Sequence, residues 1–140
     1  MLYSLSIINA LVFFTLGIIH LYWGVGGKRG LQTSIPTDGH GSKLFQPGRG
    51  ITLVVAVGLF LFGLCNLAVS NLLVVGLDPL FLHWGMLIIA VIFLIRAIGD
   101  FRYIGFTKKY RRSSFARMDS WFYTPLCLAL AISHFYLYFL

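Results

Sequence analysis

Charge is what this sequence most conspicuously lacks. Only 11% of its 140 residues are charged, and just four of those are acidic. A soluble domain carries about 25% charged residues, so there is too little charge here to coat a water-facing surface. Two cysteines and no repeat exclude a disulfide scaffold and a collagen-like chain. Intrinsic disorder is excluded for the opposite reason, since 59% of the residues are hydrophobic. There is no His-Glu-x-x-His, no ordered Ser-His-Asp set and no phosphate loop, because Gly27-Lys-Arg-Gly30 lacks both the strand and the Gly-Lys-Ser/Thr pattern. The length allows one domain, 1–140. What remains is an integral membrane protein.

The few charges fall in blocks. Residues 1–27, 50–77, 79–95 and 120–140 contain none. About 20 helical residues cross a hydrocarbon core of roughly 30 Å. The runs 1–27, 50–77 and 120–140 reach that length; 79–95, with 17 residues, is at the lower limit and extends past Arg96 if its guanidinium reaches the interface. The expected fold is all-α: a four-helix membrane bundle with helices at about 2–23, 50–71, 80–99 and 121–140. Stretches such as Ile51–Phe62 are apolar on every side rather than alternating, which speaks against a barrel. The first run has no basic leader and no small-x-small cleavage site, so it reads as a helix rather than a signal peptide.

Every Lys and Arg except Arg96 lies in two loops, about 24–49 and 100–120. Four spans put both loops on one face, and the positive-inside bias makes that face cytoplasmic, with both termini outside. Lys108, Lys109, Arg111 and Arg112 resemble a nucleic-acid patch in isolation. Beside a membrane helix, and interleaved with Phe101, Tyr103, Phe106, Tyr110 and Phe115, they are expected to meet anionic headgroups instead, with no nucleic acid as partner. The first loop is rich in Gly and Pro, and Thr37-Asp38-Gly39 reads as a turn. No regular element fits it, so it is either mobile or folded over the helices.

Polar residues within spans face the bundle or a partner. Asn9, Asn66, His83 and His134 fall in one layer, roughly 5–11 Å below the outer boundary. They read either as interhelical hydrogen bonds or as a site for a proton-carrying pair, a quinone or a haem. Two histidines without a carboxylate or thiolate are a poor metal set, and no metal is expected. Periodicity alone does not make them face each other. Ala129-x-x-x-Ser133 offers a close-packing face. Cys65 and Cys127 sit at different depths and are not expected to pair. The cytoplasmic end is richer. His20, Tyr22 and Trp23 close helix 1; Arg96, Asp100, Arg102 and Tyr103 close helix 3; Asp119, Tyr123 and Thr124 open helix 4. Arg96 and Asp100 are spaced to pair on one face. Asp100 or Asp119 can orient His20 as an acid–base dyad. The plainer reading is interfacial anchoring and charge neutralisation.

Several stretches together resemble a known family. They are His20-Leu-Tyr-Trp23, Gly26-Gly27, Ile35-Pro36, Phe45-x-Pro47-Gly48, Gly99-Asp-Phe-Arg-Tyr103 with Gly105-Phe106 and Lys108, Phe115-Ala-Arg-x-Asp119, and Tyr123-x-Pro125-Leu-Cys127. The chain looks like the small bacterial four-helix membrane proteins grouped as a domain of unknown function. The resemblance implies four spans and a bacterial inner-membrane location, and it carries no activity or cofactor.

Three functions compete. The first is a module that binds lipid or a larger membrane partner, alone or as a homo-oligomer. The second is a small enzyme acting on a lipid or isoprenoid-like substrate, with His20, Asp100 or Asp119 handling protons and Arg96 or Arg102 holding a headgroup. The third is a carrier of protons, small molecules or electrons, which needs His83 and His134 to share a cavity.

Overall fold

The computed structural model describes residues 2–38 and 42–140. Among the described residues there are six α-helices: α1 Leu2–Gly24, α2 Leu31–Ser34, α3 Arg49–Val69, α4 Pro79–Ile98, α5 Ser114–Met118 and α6 Thr124–Phe139. A π-helical turn, Asp119–Tyr123, joins α5 to α6. Four helical stretches, α1, α3, α4 and the continuous run Ser114–Phe139, are long and apolar enough to cross a membrane. The fourth begins earlier than its uncharged run, because α5 and the π turn carry Arg117 and Asp119 into the same helical rod.

Local chemistry sets the helix ends. Asp78 Oδ1 accepts the Leu80 N–H at 2.8 Å, and Pro79 opens α4 with its φ already helical. Asn71 turns left-handed (φ 55°) just beyond α3. Pro125 lacks an N–H and crowds the turn before it; the ladder there widens, and the Thr124 N–H reaches the Asp119 carbonyl.

The spans pack chiefly as two pairs, α1 against α3 and α4 against α6, with α3–α4 contacts joining them. Gly63 lets α1 close on α3: a Cβ there would stand 2.5 Å from the Phe14 ring. Phe13 is fully buried at the centre, its ring 5.6 Å from Phe62, 5.4 Å from Phe93 and 5.4 Å from the His134 imidazole. Leu59, Met86, Ile89, Leu130 and Leu137 complete this core. Around it Leu11, Val54, Leu61, Phe81, Ile95 and Ile132 point outward. At most 33% of any span's most apolar window is buried. So much exposed apolar surface on every helix needs lipid against it. The protein is a multi-pass membrane protein.

The first loop is more structured than the sequence suggests. It carries the short α2 and a single antiparallel bridge between Thr37 and Lys43. The Thr37-Asp38-Gly39 turn lies partly outside the described residues, although Asp38 Oδ1 accepts the Ser42 N–H at 2.8 Å. Ile35 and Pro36 are buried, α2 packs on α5, and the Ser34 and Tyr123 hydroxyls are 3.1 Å apart. The loop is folded back as a cap, and the two basic loops meet at the same end of the bundle.

Candidate functional site

The loop end of the bundle is organised around Asp119. Its side chain has no solvent exposure. Oδ1 accepts from Arg96 Nη2 at 2.8 Å; Oδ2 accepts from Lys108 Nζ at 3.0 Å and from the Gly105 N–H at 2.8 Å. Lys108 Nζ also donates to the Gly105 carbonyl at 3.0 Å. The loop reaches Asp119 because Gly99 and Gly105 take left-handed φ values of 88° and 83°. A Cβ on Gly99 would strike the Ile104 carbonyl, and one on Gly105 the Ile98 carbonyl. Between them Asp100 Oδ1 accepts the N–H groups of Arg102, Tyr103 and Ile104 at 3.0, 2.6 and 2.8 Å. Partial burial pushes the Asp100 carboxyl up, but these backbone hydrogen bonds outweigh it and hold the group below the usual carboxylate range.

Several expectations are corrected here. Arg96 does not pair with Asp100 four residues on; it turns to Asp119, while Asp100 lies beyond α4 and ties its own loop. No His20–aspartate dyad forms among the described residues. His20 Nδ1 bonds the Leu16 carbonyl at 2.8 Å, and its ring packs edge-on to Trp23 at 5.1 Å. Lys108 is 4% exposed and held by Asp119, so it is no headgroup contact. Phe115 is buried beneath the loops rather than lying in the interface. Tyr22 lies over Gly27, where a Cβ would clash with its ring, and Trp23 Nε1 donates to the Arg29 carbonyl at 2.8 Å. Both thus fasten the start of the first loop. Arg102 stacks on Tyr103 at 5.2 Å, and Tyr103 meets Tyr110 at 6.0 Å. Arg96 Nη1 and Thr124 Oγ1 are buried without a protein partner. Lys109, Arg111 and Arg112 are exposed.

The opposite layer assembles only in part. His134 Nε2 and Asn66 Nδ2 are 3.0 Å apart, and His134 Nδ1 lies 2.7 Å from the Leu130 carbonyl. Ser133 Oγ donates to Asn9 Oδ1 at 3.2 Å and extends the chain to α1. Both His134 nitrogens are therefore engaged, and a haem iron has no free imidazole there. His83 is not a member. It is exposed, stacks on Tyr138 at 4.3 Å, and lines an apolar recess with Leu82, Met86 and Leu137. The carrier reading needs His83 and His134 to share a cavity; instead His134 is fully buried and bonded to Asn66, while His83 is exposed and lies against Tyr138. Ala129 faces outward, so Ala129-x-x-x-Ser133 is not a packing face; Cys127, Leu130, Ala131 and His134 take that role. Ser6 Oγ, Asn9 Nδ2 and Asn66 Oδ1 have no protein partner. Cys65 and Cys127 are free thiols. No group of three metal-ligating side chains occurs among the described residues.

Sequence reasoning missed Lys108 as the inner partner of Asp119. Its signal was the Gly105-x-x-Lys108 spacing, which folds the ammonium back onto its own loop. It also missed Ser133 as the hydrogen-bonding link between His134 and Asn9, and the groove that Lys43 and Arg112 line together.

With this geometry described, comparison with known proteins adds a family. Residues 13–134 match the model described as "Protein of unknown function (DUF3995)", and the chain belongs to that family. No curated protein and no solved structure matches the chain. The residues that carried the resemblance, from Gly99 to Lys108 and from Phe115 to Asp119, are largely those that build and fill the Asp119 clamp.

Proposed function

We propose that this protein is a small inner-membrane module that binds anionic lipid through its loop face, with both termini outside and the two basic loops in the cytoplasm. One observation carries this reading. Apart from Arg96 and Lys108, every Lys and Arg in the chain is exposed, and all of them lie at the loop end. Asp78 stands at the opposite end, and Asp100 and Asp119 are occupied by their own loop and by the buried pair. Nine exposed cations against Asp38 and Asp100 leave this face strongly positive at the headgroup level, and such a face attracts anionic lipid, at about 1 kcal/mol per basic residue. The acid–base reading loses support for the same reason, since neither aspartate is placed to serve His20.

The test is partition between lipids. Native mass spectrometry of the purified protein should show phosphatidylglycerol retained over phosphatidylcholine, the preference fading as salt rises. Equal retention of both lipids would end the proposal. Sidedness is checked separately with Ser42→Cys in intact cells. An impermeant maleimide should react only after permeabilisation; reaction before it would reverse the orientation.

A further inference from the structure

The geometry points to a phosphate-binding groove between the two basic loops. It rests on the lipid-binding reading and gives it a specific seat. The groove has a volume of about 580 Å³, and its walls come from the first loop and from residues 110–115. That is larger than a bare phosphate and within the range of small-ligand clefts. Lys43 lines it from the first loop and Arg112 from the second. Gln32, Tyr110 and Ser114 line it as well.

The chemistry is that of an anion with polar substituents. Among the described residues the Lys43 ammonium, the Arg112 guanidinium, the Gln32 amide and the Tyr110 and Ser114 hydroxyls make no hydrogen bond within the protein. The polar groups of the Asp119 clamp, by contrast, are mostly saturated. Asp38 also lines the groove, and one of its oxygens is held by the Ser42 N–H at 2.8 Å. Two cations against one tethered carboxylate leave the groove positive. A forked guanidinium and an ammonium lining one groove suit a phosphate ester, with the hydroxyls and amide available to the alcohol part. The ligand class is a phosphate carrying a small hydroxylated group, either a lipid headgroup such as phosphoglycerol or a free phosphate ester.

The position of the groove follows from the fold. α2 packs on α5, and the Ser34–Tyr123 contact ties the first loop to the start of the fourth span. The walls are thereby held together without a ligand. The cleft forms where two separate loops each supply one cation, a constellation that neither loop shows by itself.

The test uses full-length protein in two arms. In the first, native mass spectrometry measures phosphatidylglycerol binding. In the second, equilibrium dialysis of protein in phosphatidylcholine nanodiscs measures glycerol 3-phosphate. The variants are Lys43→Ala/Arg112→Ala and, as a charge-matched comparison outside the groove, Lys109→Ala/Arg111→Ala. All four side chains are exposed, so both proteins should fold and melt like the parent. We expect the groove pair to weaken binding about tenfold or more and the comparison pair less than about threefold. That contrast in the lipid arm alone assigns a headgroup, and in the dialysis arm alone a free phosphate ester; either supports the groove. Equal weakening by both pairs overturns the groove and leaves the lipid-binding module standing. Loss of the phosphatidylglycerol preference in the parent, with glycerol 3-phosphate still lost on Lys43→Ala/Arg112→Ala, overturns the module and keeps the groove. Parent protein that binds neither ligand overturns the groove outright.

Discussion

Replacing Asp119 with asparagine should be among the most damaging single-atom changes available in this chain. The substitution keeps the shape and removes the charge. In the parent, one carboxylate with no exposure accepts from Arg96 at 2.8 Å, from Lys108 at 3.0 Å and from the Gly105 N–H at 2.8 Å. An amide has one acceptor oxygen and an NH2 group. If the oxygen keeps Lys108 and Gly105, the NH2 faces the Arg96 guanidinium, donor against donor. Arg96 is 32% exposed and has somewhere to go; Lys108 is 3% exposed and does not. The ammonium is left with two neutral carbonyl oxygens and no counter-charge. Breaking a buried pair from one side costs about 3–5 kcal/mol, and Arg96's escape to water puts Asp119→Asn nearer the lower figure. The assay is reversible unfolding in mixed dodecyl maltoside and SDS, followed by tryptophan fluorescence. A second variant isolates the cause. Lys108→Met should destabilise the parent, because it leaves Asp119 short of a partner, yet restore about 1 kcal/mol or more when Asp119 is already asparagine. A loss under about 1 kcal/mol for Asp119→Asn, or a Lys108→Met effect of equal size in both backgrounds, would refute the argument.

The same loop supplies two further expectations. Gly105→Ala should cost at least as much as Asp119→Asn, since its φ of 83° and the Ile98 carbonyl both exclude a side chain; a folded, parent-like melt would contradict this. Asp100→Asn should flatten the acid limb of the thermal stability profile. The Asp100 carboxyl is held below its usual range, so its stabilisation is complete above about pH 4, where the unfolded group is ionised, and fades as pH falls through the folded value. Melts between pH 6 and 3 check it, and parallel acid limbs for parent and variant would rule it out. In the opposite layer, Asn66→Leu removes the bond to His134 in surroundings that offer no water, and should cost about 0.6–2 kcal/mol in the same detergent assay. A gain in stability would mean that the His134 imidazole is better off without the amide.

The spans were legible because lipid imposes its pattern on the whole sequence at once. No charge is tolerated for some 20 residues, and the helices expected at about 2–23, 50–71, 80–99 and 121–140 match α1, α3, α4 and α6 to within a few residues. Facing was not legible, since apolar side chains are acceptable against lipid and against neighbouring helices alike. Leu11 and Phe13 are both apolar; one is exposed and the other lies at the centre of the core. The loop end failed for a different reason. Spacing points to partners along one helix, which matches Arg96 to Asp100. The real match, Arg96 to Asp119, is decided by a loop that glycines at 99 and 105 bend into conformations closed to other residues. A reader of the sequence sees those glycines but not where the bend delivers Lys108. Here a cluster of acid, base and cation at one depth was the mark of a structural clamp. In a bundle of four thin spans the loops need an anchor, and one buried carboxylate with two cations supplies it. The groups with no structural task, Lys43 and Arg112 foremost, stand where the two loops meet, and it is there that a ligand has polar groups left to bind.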